Sequence, residues 1–172
     1  MGGKRIKVLI VDDSLIFREV LSRGISSDPN IEVIGKATDP FDARDKILEF
    51  EPDVMTCDVE MPKMNGIEFL RRLLPQYPIP VIVVSSVSDA VFDAMNIGAV
   101  DFVTKPDVNS SKSVEDFIVD LIEKIKAASR AKVTQSIEHK NRNSGFQGKA
   151  DKSKIIAIGA STGGTEAISS IL

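Results

Sequence analysis

The chain has 172 residues, enough for one domain of ordinary size plus a remainder. Its 42% hydrophobic and 27% charged content is that of a soluble globular protein. No apolar run approaches the ~20 residues of a membrane span, so membrane insertion is not expected. Met1-Gly2-Gly3-Lys4-Arg5 lacks a signal peptide's apolar region, and the single cysteine permits no internal disulfide, so a cytoplasmic location is expected. Cys57 lies inside an apolar run and reads as a small buried core residue. The net charge of −3 conceals an asymmetry: residues 130–154 carry seven basic side chains against Glu138 and Asp151, leaving an acidic body. That balance argues against nucleic acid as a partner, and the basic stretch has Phe146 as its sole aromatic, so it reads as a solvated linker.

Short apolar runs alternate with helical patterns along residues 1–129. Strands are predicted over about 6–11, 31–37, 54–57, 81–84 and 101–104. After Ser14, a stripe of Leu15, Ile16, Val20, Leu21 and Ile25 predicts the first helix. Asp39-Pro40 opens the second, an N-cap with proline at the first helical position, running to about Glu49. Asn65-Gly66 opens the third, with Ile67, Phe69, Leu70, Leu73 and Leu74 as its apolar residues. A short fourth runs from about Asp89 and stops at Gly98. The spacing of Ser113 and Asp116 predicts a cap for the last helix, whose buried face is Phe117, Ile118, Leu121, Ile122 and Ile125. Strict alternation implies an α/β fold with a doubly wound, five-stranded parallel sheet.

Each of four predicted strands ends in polar residues: Asp12-Asp13, Asp58, Ser85, and Lys105-Pro106. In an open α/β sheet the ligand crevice lies outside the carboxyl ends of the strands, so these groups are expected to converge. Three carboxylates together need a cation, and Mg²⁺ suits one or two carboxylates plus phosphate oxygens. Lys105 offers a positive charge for a phosphoryl oxygen and Ser85 a hydroxyl, and a carboxylate can attack phosphorus to form an acyl phosphate. Asp58, central in the set, is the natural nucleophile. Singly, each residue has a plainer reading: Asp13 as a helix cap, Asp58 as a loop residue, Lys105 as a solvated cation, Ser85 as a backbone partner. Their coincidence at strand ends favours a site. A cis Lys105–Pro106 bond is expected, since proline lowers the cost of cis to roughly 0.5–1 kcal/mol and the ammonium must enter the pocket while the chain turns away.

Asp12-Asp13, the string Asp58-Val59-Glu60-Met61-Pro62-Lys63-Met64-Asn65-Gly66, Ser85 and Lys105-Pro106 resemble the receiver domain of two-component response regulators, over residues 4 to about 127. The resemblance implies a flavodoxin-like sheet of order 2-1-3-4-5 and a phosphoryl group accepted on Asp58 from a histidine kinase. It implies Mg²⁺ held through Asp12, Asp13, Asp58 and the backbone carbonyl of Glu60, with Ser85 and Lys105 reading the phosphate. Phe102 occupies the switch-aromatic position, without the hydroxyl that Tyr would bring. The stretch from Ser85 to Lys105 is a few residues shorter than usual, which shortens the fourth helix.

Residues 130–153 show no sustained period and are expected to be a mobile linker. A new strand is predicted at Ile155-Ile156-Ala157-Ile158, then a glycine-rich turn and a helix from Thr165, so 154–172 reads as the first βα unit of a second α/β domain. Gly159-Ala160-Ser161-Thr162-Gly163 fits the G-x-S-x-G of a nucleophile elbow in its strand–turn–helix context. A Walker loop and a dinucleotide fingerprint are absent. The longer string from Ile158 to Ala167 resembles the opening of the catalytic domain of the chemotaxis protein-glutamate methylesterases. That resemblance implies Ser161 as nucleophile toward receptor glutamate methyl esters, deamidation of receptor glutamines in many members, a CheA-type kinase as phosphodonor and chemoreceptors as substrates. Eleven residues follow Ser161 and none is His or Asp, while His139 lies in the linker. A serine without a base is a poor nucleophile, so esterase activity is expected of a longer protein and not of these 172 residues. The alternative is a receiver acting by phosphorylation-dependent contact alone.

Overall fold

The computed structural model describes residues 4–62, 64–86, 89–106 and 111–131. Five strands, β1 (Ile6–Val11), β2 (Ile31–Ala37), β3 (Val54–Asp58), β4 (Val81–Ser85) and β5 (Asp101–Thr104), form one parallel sheet in the order β2-β1-β3-β4-β5. The helices between and after them are α1 (Leu15–Ile25), α2 (Pro40–Phe50), α3 (Gly66–Leu73), α4 (Asp89–Ile97) and α5 (Ser111–Ala128). The chain leaves β1 toward β2 and returns to the other side of β1 as β3, which puts the topological switch point between β1 and β3.

Both faces of the sheet are covered, and the central strands β1, β3 and β4 are largely apolar without alternation for that reason, while the edge strands β2 and β5 are only partly buried. Val8 and Ile10 of β1 face one core, with Phe17, Leu21 and Ile25 of α1 and Phe117, Leu121 and Ile125 of α5. Leu9 and Val11 face the other, with Ala43 and Ile47 of α2, Leu70 and Leu73 of α3 and Ala94 of α4. Cys57 is buried in this second layer, as expected. The apolar faces predicted for α3 and α5 are the faces that pack.

Three expectations need correction. In α1 the buried residues are Phe17, Arg18, Leu21 and Ile25, whereas Leu15 and Ile16 are exposed. The true stripe is Phe17-Leu21-Ile25 at i, i+4, i+8, and the two apolar residues of the first turn fall outside it. Helix α5 begins at Ser111, so Ser113 lies inside the helix and cannot be its N-cap. The Lys105–Pro106 bond is trans, as is every peptide bond among the described residues. The four-carbon stem of Lys105 reaches the carboxylates from the end of β5 with the bond trans, so placing the ammonium in the pocket does not require cis.

The predicted stop of α4 is a Schellman motif. Gly98 has φ of +114°, its N–H donates to the Met95 carbonyl at 3.1 Å, and the Ala99 N–H donates to the Ala94 carbonyl at 3.0 Å. The predicted linker and second-domain start, with His139 and Ser161, lie outside the described residues apart from Arg130 and Ala131.

Candidate functional site

The polar residues stand where parallel pairing brings strand ends together. β3 ends on Asp58 and β4 on Ser85, while Asp12 and Lys105 each follow the last residue of their strand. The register pairs Val11 with Cys57, Asp58 with Val84 and Ser85 with Thr104, which sets all four at one edge of the sheet. Carboxylate oxygens of Asp12, Asp13 and Asp58 lie within 4.8 Å of one another. Asp12 and Asp58 are each 1% exposed, whereas Asp13 faces solvent.

Lys105 supplies the counter-charge. Its Nζ donates to Asp58 Oδ2 at 2.6 Å and lies 2.9 Å from Asp12 Oδ2. The second contact is an ion pair that holds the buried Asp12 Oδ2. The other oxygens are held by backbone: Asp12 Oδ1 accepts from the Ser14 N–H at 2.8 Å and Asp58 Oδ1 from the Glu60 N–H at 3.0 Å. Burial pushes the Asp58 carboxyl above the usual carboxylate range, and the charge on Asp12 adds to this against the hydrogen bonds from Lys105 and Glu60. Burial pulls Lys105 the other way, but pairing with Asp58 and Asp12 outweighs it and holds the ammonium above its ordinary pKa. Three clustered carboxylates, two of them buried, suit a hard divalent cation with oxygen ligands.

The loop after β3 is shaped by Gly66. Its N–H donates to the Val59 carbonyl at 2.9 Å, and a Cβ there would overlap the Asp58 carbonyl oxygen and lie 2.9 Å from Val59 Cα. Asn65 then caps α3, its Oδ1 accepting from the Ile67 N–H at 2.7 Å. The Asn65-Gly66 pair therefore folds the chain back under Asp58 while starting the next helix.

Ser85 is buried, and its carbonyl accepts from the Lys105 N–H at 3.0 Å, which ties β4 to the start of the loop after β5. Phe102 stands on β5 and is partly exposed, with Lys124 Nζ 5.8 Å from its ring centroid. Glu60 is exposed and touches the site through its N–H. Two residues not anticipated from the sequence also belong here. Arg18, buried, donates from Nη1 to the Asp12 carbonyl at 2.6 Å, and the ring of Phe17 lies 4.8 Å from Lys105 Nζ. The i, i+4 spacing of Phe17 with Leu21 was the signal for the second; a buried arginine on an apolar stripe leaves no such signal.

The residues 8–114 match the model of the response regulator receiver domain. The chain belongs to that family. This receiver is similar to a solved structure described as the response regulator domain of Thermotoga maritima CheB, with a TM-score of 0.69 and 41% identity, covering 75% of this chain and 99% of that one. It is also similar to the structure of the chemotaxis response regulator CheY4 of Vibrio cholerae, at 25% identity and a TM-score of 0.60, covering 71% of this chain and 99% of that one. A protein-glutamate methylesterase/protein-glutamine glutaminase of Syntrophomonas wolfei is 57% identical over 172 residues, which is 100% of this chain and 50% of the relative. A protein of the same description from Vibrio vulnificus is 44% identical over 100% of this chain and 51% of its own length. The chain thus spans about half the length of these curated relatives. Among the described residues, no helix is long and apolar enough to cross a membrane.

Proposed function

We propose that this receiver takes a phosphoryl group onto Asp58 from a phosphohistidine of a CheA-type kinase, and thereby controls a serine hydrolase encoded further along the same protein. The observation that supports it best is the pairing of Asp58 Oδ2 with Lys105 Nζ at 2.6 Å inside the carboxylate cluster. Asp12, Asp13 and Asp58, with the Glu60 carbonyl, would hold Mg²⁺, which when bound supplies charge neutralisation between carboxylates and phosphoryl oxygens. Asp58, buried and hydrogen-bonded through Oδ1 to the Glu60 N–H, presents its carboxylate in a fixed direction for attack on phosphorus. The bond from Asp58 oxygen to phosphorus forms as the bond to the donor nitrogen breaks, and the donor keeps that electron pair. Lys105 stays beside the new phosphoryl oxygens as a positive charge, and Ser85 and Phe102 report the change to the rest of the domain.

The relatives' names support the second half of the reading. Residues 130–153 would act as the linker, residues 154–172 as the opening of the catalytic domain, and Ser161 as the nucleophile toward methylated glutamate side chains of chemoreceptors in the cytoplasm. Glutamine deamidation would use the same serine. Incubating the chain with a small phosphodonor and Mg²⁺ should give an acid-stable, base-labile adduct that Asp58→Asn abolishes. In the longer protein, phosphorylation or removal of residues 1–150 should raise the esterase rate by about 5- to 150-fold, the range of a coupling of 1–3 kcal/mol. Equal labelling of the Asn variant would refute the acceptor; an esterase rate that responds to neither change would refute the control.

A further inference from the structure

Two carboxylates do not account for the whole environment of the Lys105 ammonium. The ring of Phe17 lies 4.8 Å from Nζ and is held from several sides. Phe17 is 6% exposed and packs on Phe117 with ring centroids 5.8 Å apart and an interplanar angle of 47°. Its N–H donates to Ser14 Oγ at 3.3 Å, the Ser14 N–H donates to Asp12 Oδ1 at 2.8 Å, and the neighbouring Arg18 holds the Asp12 carbonyl at 2.6 Å. One helical turn thus ties the ring to the aspartate whose carboxylate pairs with the same ammonium.

We propose that Phe17 is a positioning residue for phosphoryl acceptance, its ring keeping the Lys105 ammonium in the pocket while a cation engages Asp58 and before phosphorus arrives. This rests on the reading of Asp58 as acceptor. A lysine held by carboxylates alone follows their charge: once a cation takes Asp58 Oδ2, part of the attraction goes, and the flexible stem lets the ammonium swing into water. Attraction to a ring face does not depend on the state of the carboxylates, and it is stronger where water is partly excluded. The ring thereby supplies a constant hold beneath a variable one. A purely structural Phe17 would explain its burial, but Leu or Met would fill that space as well. Fluorination separates the two roles, because it drains the ring's negative face while nearly preserving its shape.

The test places mono-, di- and trifluorinated phenylalanine at position 17 of the full chain, with Phe17→Met as the non-aromatic comparison. The Lys105 ε-methylene protons should show an upfield ring-current shift by NMR, with no cation or phosphodonor present, and Phe17→Met should remove it. Labelling of Asp58 by a small phosphodonor with Mg²⁺ should fall stepwise along the fluorinated series, reaching about three- to tenfold, while the melting temperature stays constant. A labelling rate that is flat across the series, or Lys105 protons without the shift in the natural protein, would overturn the proposal. Absence of labelling in the natural protein would instead refute the acceptor reading, and the role of Phe17 in acceptance with it, even where the ring-current shift is seen.

Discussion

Replacing Lys105 by Met removes the positive charge that pairs with both buried carboxylates while keeping most of the stem that fills the pocket. Asp12 and Asp58, each 1% exposed, would then face one another with the two oxygens that now lie 2.9 and 2.6 Å from Nζ left without a counter-charge. Removing one partner of a buried pair costs about 3–5 kcal/mol. The sign of the pH dependence follows from Asp58, whose carboxyl already sits above its ordinary range because of burial. A carboxyl with a raised folded pKa adds stability below its unfolded pKa and loses that contribution as pH rises through the folded value. The Lys105→Met penalty should therefore be small at about pH 4, where a proton takes the place of the ammonium, and fully developed near neutrality. Millimolar Mg²⁺ should restore much of it, since the cation replaces the missing charge. Urea titrations of both proteins between about pH 4 and pH 8, with and without Mg²⁺, measure this directly. A loss below about 1 kcal/mol that responds to neither pH nor Mg²⁺ would show that the two carboxylates do not rely on Lys105.

Gly66→Ala should cost about 1–3 kcal/mol and slow labelling of Asp58 by at least about tenfold, because the backbone of Asp58 and Val59 must give way; denaturation and phosphodonor kinetics check it. Thr56 is 1% exposed on β3 and its hydroxyl has no hydrogen bond among the described residues. Thr56→Val should stabilise the domain by about 1–2 kcal/mol, seen as a rise of about 3–6 °C in Tm, and a fall in Tm would mean that the hydroxyl is satisfied. Burial pushes the Asp53 carboxyl up, but the Lys7 N–H at 2.9 Å and the Lys4 ammonium outweigh it and hold it below its ordinary range. Its contribution is present above the unfolded pKa and lost as pH falls through the folded one, so Asp53→Asn should flatten the acid limb of a stability–pH curve below about pH 4.

The parallel sheet was legible because its central strands are buried on both faces, and unbroken runs such as Val8-Leu9-Ile10-Val11 have few other uses, whereas the order of the strands came from the resemblance to receiver domains. The site was legible for a related reason: a parallel sheet gathers the ends of its strands, so Asp12, Asp58, Ser85 and Lys105 could be grouped before any distance was known. What failed was orientation within a turn. Leu15 and Ile16 are as apolar as Phe17, and at the first turn of a helix the stripe is not yet defined by a preceding one. The start of α5 was misjudged because Ser113 with Asp116 has the spacing of a cap whether or not a helix begins there. Arg18 was invisible for a deeper reason: its partner is a backbone carbonyl, and carbonyls have no letter in a sequence. The trans bond at Pro106 shows the same limit, since the reach of a flexible side chain left cis unnecessary.

The acidic pair and its cation come from the first, third and fifth strands, and Lys105 lies 47 positions beyond Asp58. During synthesis the two carboxylates are therefore complete long before their counter-charge leaves the ribosome. Until the last strand joins the edge of the sheet, closing the pocket would strand two negative charges away from water, so the first three strands gain little by settling early. Long-range closure of this kind is slow, and here it coincides with the assembly of the chemistry. A chain that has not finished folding accordingly lacks the assembled pocket, and the two aspartates stay in water until Lys105 arrives.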